Sequence, residues 1–247
     1  MSQLWKRQSI ADSPLSVIVL MEQFDVDALR QTLTDLQPVL QETGKTCEVL
    51  VPSPTSAETA LEPALAVCSS ARLVSSDDVS QGQGAALKVG IAAAKHPLVF
   101  VLPTGYAAKY LPAFLKEIDL VDLVCGTRES KASGWKRRQF FSVAYQLFGL
   151  WMQDPECPMR LYRREMFDRI PIQSTGSFAQ IEILAKANFE SKLMTDVAIE
   201  GPSHDLARNS KDFWKVLNSP NFGKPPEKVV EAPVKSIIET AAPEARA

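Results

Sequence analysis

The chain has 247 residues, of which 45% are hydrophobic and 23% charged, and its formal net charge is −2. This composition is typical of a globular protein with a sizeable core, and the near-neutral charge argues against a nucleic-acid partner. Only two histidines are present, and the four cysteines are widely spaced without a C-x-x-C pair. The sequence therefore predicts neither a zinc site nor a disulfide framework.

The N-terminal residues 1–14 lack the apolar core of a signal peptide. No apolar stretch approaches the roughly 20 residues that are needed to span a bilayer. We therefore expect a cytoplasmic protein with one large domain over residues 14–215, preceded by an N-terminal extension over residues 1–13.

Short apolar runs alternate with helical patterns through the first half of the chain. Five strands are predicted, at residues 16–20, 47–51, 71–74, 98–102 and 120–125. Four helices are predicted between them, at residues 29–40, 58–67, 84–95 and 112–118. Strands that alternate with helices form a mostly parallel sheet with helices on both faces, so we expect an α/β fold of three layers.

The second half of the chain has a less regular pattern. Its predicted elements are a helix at 135–152, a helical turn at 163–170, a helix at 178–188 and a strand at 192–200. From Ser219 onward, five prolines stand among alanine, glutamate and lysine, which predicts a disordered tail over residues 219–247. Within this tail, a docking peptide at residues 229–238 is the alternative to a solvated chain.

A glycine motif, G-Q-G-A-A-L-K-V-G, begins at Gly82 and opens a predicted helix. Glycine permits a positive φ and close backbone approach, and a helix N-terminus presents free N–H groups to an anion. Gly82 and Gly84 are therefore candidate phosphate-binding residues. The same spacing also suits a tight junction between a strand and a helix.

Three further motifs follow in order: D-L-V-C-G-T-R at 122–128, D-P-E-C-P-M-R-L-Y-R-R-E at 154–165, and S-F-A-Q-I-E-I-L-A-K-A at 177–187. Together with the glycine motif they resemble the family-2 inverting glycosyltransferases over about residues 15–200. The resemblance is to the dolichol-phosphate mannose synthase-like and polyprenyl-phosphate sugar transferase branch. It implies a GT-A fold, a nucleotide-diphosphate sugar donor, a Mg²⁺ or Mn²⁺ ion and often a lipid-phosphate acceptor.

The chain departs from this family where carboxylates follow the first, second and fourth strands. The family's P-x-Y-N-E, D-D-G-S-x-D and D-x-D correspond here to residues 20–25, 52–56 and 102–106, which keep little of that pattern. Thr104 and Tyr106 offer only neutral oxygens, which are poor ligands for a hard dication. We therefore predict that no metal is held and that metal-dependent activity is weakened or lost.

Without a metal, cationic side chains would have to neutralise a diphosphate. Arg128, Arg160 and Arg163 are candidates, together with Thr104 as a polar contact, because guanidinium binds phosphate in a bidentate manner. In the alternative interpretation, Arg163 lies on a solvated helix face and Arg128 pairs with a neighbouring acid, Asp122 or Glu129.

Two acids are candidates for catalysis. Asp154 matches the family's acid near the acceptor and could act as general base, although Asp-Pro is also a common helix stop. Glu182 matches a family position on a helix, where a carboxylate near the helix N-terminus has a purely structural explanation as well.

Residues 135–151 begin with basic side chains and continue with aromatic ones. This pattern suits a bilayer interface or a lipid-phosphate acceptor, which would make the protein peripheral on the membrane, whereas a core helix is the alternative. Two functions follow from the sequence: a glycosyltransferase, or a non-catalytic GT-A module that acts through a partner or a membrane. A nucleotidyltransferase is disfavoured, because the first strand lacks a glycine-rich loop.

Overall fold

The structure is a computed structural model that describes residues 9–21, 23–128, 147–150, 152–202 and 210–223. Seven strands form one sheet: β1 (Leu15–Leu20), β2 (Cys47–Ser53), β3 (Ala71–Ser75), β4 (Leu98–Pro103), β5 (Leu123–Arg128), β6 (Arg160–Arg163) and β7 (Met194–Ile199). The helices in the described ranges are α1 (Val26–Thr43), α2 (Glu58–Leu65), α3 (Gln83–Ala93), α4 (Leu111–Glu117), α5 (Ala179–Phe189) and α6 (Ser210–Asn218).

The strand order is β3-β2-β1-β4-β6-β5-β7. Only β6 runs antiparallel to its neighbours β4 and β5, and the other pairs are parallel. All six residues of β1 and all six of β4 are buried. Central parallel strands are covered on both faces, which explains why these strands read as continuous apolar runs rather than alternating ones.

Helices cover both faces of the sheet. Leu33 of α1, Leu61 of α2 and Phe114 of α4 pack in one apolar core with Val17 of β1. On the other face, the core around Ile18 contains apolar residues of α3, α5 and α6: Leu87, Ile183 and Val216. The predicted three-layer α/β sandwich with a mostly parallel sheet is confirmed.

The ends of α1 show how local sequence sets an element. Asp25 caps the helix by accepting hydrogen bonds from the N–H groups of Asp27 and Ala28, both at 3.0 Å. Gly44 ends it with a φ of +63°, a conformation that favours glycine.

The predicted helical turn at 163–170 is wrong in part. Residues Arg160–Arg163 form β6, and a short 3₁₀ helix follows at Arg164–Asp168. Leu161 packs in one apolar core and Tyr162 in the other, as neighbours in a strand do. The sequence did not predict this strand, because Arg160 and Arg163 stand at its ends and leave only two residues between them, too few for an apolar run.

The predicted tail is ordered at its start. Gln173 Nε2 donates to the Ser219 carbonyl at 3.0 Å, and Gln173 Oε1 accepts from the Asn221 N–H at 2.6 Å. The Gly223 N–H donates to the Arg169 carbonyl at 2.9 Å. Residues 219–223 therefore contact the domain, and the disorder of the tail stays a prediction for residues 224–247, which lie outside the described part.

The N-terminal extension is also attached to the domain over its described residues. Asp119 Oδ1 accepts hydrogen bonds from the N–H groups of Ile10 and Ala11, at 2.7 and 2.8 Å. Across the described residues, none of the helices has the length and apolar character needed to cross a membrane.

Candidate functional site at the carboxyl edge of the sheet

The candidate site lies where β1, β4 and β5 end. Ligands of open α/β sheets bind beyond the carboxyl ends of the strands, so this edge is the place to test the prediction. The Thr104 N–H donates to the Leu20 carbonyl at 2.8 Å, which joins the ends of β1 and β4. Arg128, the last residue of β5, contacts both the β4 end and the loop that contains Asp154.

The segment that replaces D-x-D forms a tight turn. The Tyr106 N–H donates to the Pro103 carbonyl at 3.2 Å, and Gly105 has a φ of +83°. A turn of this type needs glycine at its third position. Thr104 is half-buried at the turn, and its hydroxyl is the only oxygen that its side chain can offer to a ligand.

The same turn directs Tyr106 into the protein, where its side chain is only 4% exposed. A Cβ at Gly201 would stand 2.5 Å from Cε1 of Tyr106, so the ring lies directly against that backbone. Pro52 and Ser53 at the end of β2 are also buried. The protein's own side chains, Tyr106, Pro52 and Ser53, therefore pack at the ends of β2 and β4.

Arg128 forms a buried bidentate pair with Asp154. The distances are 2.6 Å from Nε to Oδ2 and 2.9 Å from Nη2 to Oδ1, and both side chains are about 5% exposed or less. Arg128 Nη1 donates to the Tyr106 hydroxyl at 3.3 Å and to the Pro202 carbonyl at 3.2 Å. All three nitrogens of the guanidinium, Nε, Nη1 and Nη2, thus donate hydrogen bonds inside the protein.

Burial lowers the pKa of Arg128, but the hydrogen bonds and negative charge of Asp154 outweigh that effect. The pKa of Arg128 is therefore raised above its ordinary value, and the side chain is charged. Of the two predicted partners for Arg128, Asp122 instead accepts a hydrogen bond from the Leu193 N–H at 2.9 Å, and Glu129 lies outside the described residues.

Arg160 is fully buried, and its guanidinium donates to three backbone carbonyls. Its partners are Cys157, Gln180 and Pro155, at 2.9, 2.7 and 2.6 Å. These bonds fasten the loop after Asp154 to α5. Such a side chain positions that loop, and it would have to give up these bonds to bind phosphate.

Arg163 lies at the opposite edge of the sheet, paired in register with Leu98 at the start of β4. Its guanidinium donates to the carbonyls of Val121 and Ile118, both at 2.9 Å. This location separates Arg163 from Thr104 at the other end of β4. The structure therefore does not bring Arg163 and Thr104 together, and phosphate binding by Arg163 stays a prediction.

Glu182 is fully buried in a polar cluster under a loop. Its oxygens accept from the N–H groups of Gln173 and Ser174 at 2.7 and 2.8 Å, and from Lys186 Nζ at 2.7 Å. Lys186 also donates to the Pro171 carbonyl at 2.6 Å. This arrangement fits the structural interpretation of Glu182, since the carboxylate organises residues 171–174.

Gly82 and Gly84 pack against that same loop. A Cβ at Gly82 would stand 2.8 Å from the Thr175 carbonyl, and one at Gly84 would stand 2.6 Å from the Ser174 carbonyl. The Ala85 N–H, in the first turn of α3, donates to the Thr175 carbonyl at 3.1 Å. The loop thus takes up space and a donor that a phosphate would need, as the tight-junction alternative predicts.

Asp196 of β7 also belongs to this region, although it is not among the site residues predicted from the sequence. Its Oδ2 accepts from the Gln153 N–H at 3.4 Å. Burial raises the pKa of Asp196, and the nearby negative charge of Asp154 raises it further. The clue in the sequence was an acid in the middle of a predicted strand.

The residues at this edge do not fit a divalent metal. Thr104 supplies a neutral oxygen, and the Tyr106 hydroxyl faces the Arg128 cation, which would repel a dication. Both oxygens of Asp154 already bind Arg128. Within the described ranges, no group of three or more His, Cys, Asp or Glu side chains could hold a metal ion.

The segment predicted to contact a membrane or a lipid acceptor, residues 135–151, lies outside the described residues except for residues 147–150.

No family model matches the sequence, and no curated protein matches it. The seven-stranded, mostly parallel sheet with helices on both faces matches the GT-A fold.

Solved structures with this fold include sugar-transferring enzymes. A glucosyl-3-phosphoglycerate synthase from Mycobacterium tuberculosis with uridine diphosphate has a TM-score of 0.65 and 16% identity, covering 86% of this chain and 83% of that one. The same enzyme with Mn²⁺, uridine diphosphate and glucosyl-3-phosphoglycerate has a TM-score of 0.61 and 16% identity, covering 85% and 78%. A mannosyl-3-phosphoglycerate synthase from Rubrobacter xylanophilus has a TM-score of 0.63 and 15% identity, covering 85% and 72%. At these identities the likeness establishes the fold alone.

Proposed function

We propose that this chain is a homologue of the family-2 glycosyltransferases that no longer performs metal-dependent sugar transfer and acts as a non-catalytic binding or regulatory module. The resemblance of its motifs to the dolichol-phosphate mannose synthase-like branch supports the descent. The observation that carries the loss of activity is the buried cluster of Arg128, Asp154 and Tyr106 at the strand tips.

The chemistry of sugar transfer explains why this cluster matters. A nucleotide diphosphate leaves with developing negative charge, and a metal held by carboxylates commonly stabilises that charge by several kcal/mol. Here Arg128 could supply positive charge, but its donors are bound to Asp154, Tyr106 and Pro202. Releasing them would leave buried groups without partners, which costs free energy.

A general base must also be able to accept a proton from the acceptor hydroxyl. Asp154 is 3% exposed and holds Arg128 with both oxygens. Catalysis by Asp154 would therefore require the ion pair to open first.

Calorimetric titration with uridine diphosphate and UDP-glucose, each with and without Mn²⁺, tests this proposal. These ligands are chosen because they are the ones held by the mycobacterial enzyme. We expect Mn²⁺ to leave the binding heat unchanged, and we expect no hydrolysis of UDP-glucose. Tight binding that depends on Mn²⁺ would overturn the proposal. So would donor hydrolysis that Asp154→Asn abolishes and the surface variant Glu200→Gln preserves.

A second candidate is binding to a membrane surface or a lipid phosphate through residues 135–151. The supporting observation is in the sequence, where Lys136, Arg137 and Arg138 stand between Trp135 and a run of aromatic residues. Flotation of the full chain with anionic and with neutral vesicles tests it. We expect binding to anionic vesicles only, and the triple variant with Lys136, Arg137 and Arg138 changed to Gln should lose it. Equal flotation with neutral vesicles, or none with either, would contradict this candidate.

A further inference from the structure

An apolar groove lies on the surface between the end of α5 and the ordered start of the C-terminal tail. One hollow of about 340 Å³ is lined by Phe189, Glu190, Pro220 and Phe222. An adjoining hollow of about 110 Å³ shares Phe189, Pro220 and Phe222, and it is also lined by residues of α6 such as Leu217. Phe189 is 65% exposed, so a large apolar side chain faces solvent at the centre of this groove.

Hydrogen bonds to the domain fix the part of the tail that lines the groove. Residues 219–223 are fastened through Gln173 and through the hydrogen bond from the Gly223 N–H to the Arg169 carbonyl. Lys186 Nζ lies 5.8 Å from the centre of the Phe222 ring, within range of a cation–π contact. A groove with fixed walls can bind an apolar helix without first being ordered itself.

The C-terminal segment begins in the chain next to a residue that lines this groove. The described chain ends at Gly223, one residue after Phe222. The next nine residues, 224–232, can reach at most about 30 Å when fully extended. Whatever follows them is therefore tethered close to the groove.

The sequence that follows has the pattern of a short amphipathic helix. Val234, Ile237, Ile238 and Ala241 have the spacing i, i+3, i+4, i+7, which places them on one face. Pro233 precedes them in the position that favours a first helical turn. The polar face carries a Lys and a Glu four residues apart, and a second proline follows at residue 243.

We propose that residues 233–242 bind in this groove of their own chain as an amphipathic helix, with the apolar face against Phe189 and Phe222. A helix of this length is about 15 Å long and is marginal in water alone, so it needs an apolar surface to form. A short flexible tether gives an effective concentration in the mM range. The segment's own groove is therefore favoured over that of a second copy. This binding does not depend on whether the strand tips bind a nucleotide.

Hydrogen–deuterium exchange on the full chain tests the proposal. We expect the amides of residues 234–242 to exchange at least about tenfold more slowly than an unstructured chain. The tail variant Ile237→Ser/Ile238→Ser and the groove variant Phe189→Ser should each remove this protection. The matched control is Leu120→Ser, because Leu120 is 70% exposed, lies in the turn after α4 and does not line the groove.

The outcomes separate the possible occupants of the groove. Protection that both variants remove and that persists over about a hundredfold dilution supports binding within one chain. Protection that disappears on dilution would assign the segment to a second copy and overturn the proposal. Exchange at the unstructured rate in the unmodified chain, or protection that Phe189→Ser leaves intact, would overturn it as well.

Discussion

The ion pair between Asp154 and Arg128 is shielded from water, since the two side chains are only 4% and 5% exposed. Burying two charges costs much of what their attraction returns, so such a pair adds little net stability. Removing one partner is a different matter, because the other charge then stays buried without compensation. The ion pair therefore adds little to the net stability of the protein, but it fixes the end of β5 relative to the loop that contains Asp154.

We predict that Asp154→Asn lowers the free energy of unfolding by about 3–5 kcal/mol, measured by urea denaturation. The control is Glu200→Gln, which removes an ion pair with Lys109 whose side chains are 83% and 64% exposed. That change should cost less than about 1 kcal/mol. The double variant Arg128→Met/Asp154→Leu should recover much of the loss. Equal costs for Asp154→Asn and Glu200→Gln would contradict a buried pair.

Glu48 gives the protein a pH-dependent contribution to stability. Its carboxylate accepts from Ser16 Oγ and from the Lys95 N–H, both at 2.7 Å, and from Arg72 Nη2 at 3.3 Å. Burial raises the pKa of Glu48, but these hydrogen bonds and the charge of Arg72 lower it more, so the pKa of Glu48 lies below its ordinary value. The folded state therefore favours the ionised form, and stability from Glu48 is present above the unfolded pKa and lost as pH falls through the folded one.

We predict that Glu48→Gln lowers the free energy of unfolding by about 1 kcal/mol at pH 7. The difference between the variant and the unmodified chain should shrink as pH falls below about 4, because both then carry a neutral side chain. Urea denaturation across this pH range measures it. A difference that stays constant down to pH 3 would show that the charge of Glu48 is not responsible.

The junction between α3 and the loop at residues 174–176 depends on the absence of a side chain at Gly84. A Cβ there would stand 2.6 Å from the Ser174 carbonyl and 2.7 Å from the Gly176 carbonyl. Both neighbours are backbone atoms, which cannot move aside as a flexible side chain can. The loop in turn rests on Glu182 and, through the Gly176 N–H, on Asp212 of α6.

We predict that Gly84→Ala lowers the free energy of unfolding by about 2–3 kcal/mol in the absence of any ligand. Thermal and urea denaturation measure it. The control is Gly44→Ala, which meets no atom within 4 Å but strains a φ of +63°, for an expected cost of about 1 kcal/mol. If Gly84→Ala were neutral or stabilising, as alanine is in an open helix turn, the packing role would be wrong and close ligand approach would explain the glycine better.

The parallel half of the sheet was predictable because its strands are apolar throughout and its helices have clear periodicity. The strand β6 and the helix α6 were not. The strand β6 has only four residues and an arginine at each end. Arg160 can be buried there because carbonyls of Cys157, Pro155 and Gln180 receive it, and such partners cannot be recognised in a linear sequence.

The candidate site was predictable in position but not in its contacts. The absence of acids at the strand tips is visible in the sequence, and Asp154 and Arg128 were both identified as candidates. Their pairing was not, since the two residues are 26 positions apart. The inward direction of Tyr106 depends on the positive φ of Gly105, which sequence indicates only as a turn.

At the scale of the whole chain, the Arg128–Asp154 ion pair joins the two ends of a 25-residue segment. These 25 residues, 129–153, follow β5 in the chain and precede β6, and most of them lie outside the described residues. Closing such a loop costs entropy that grows only with the logarithm of its length, about 0.6 kcal/mol for each doubling. Because the ion pair fixes both ends, we expect changes in the length or composition of residues 129–153 to leave the positions of the strand ends unchanged.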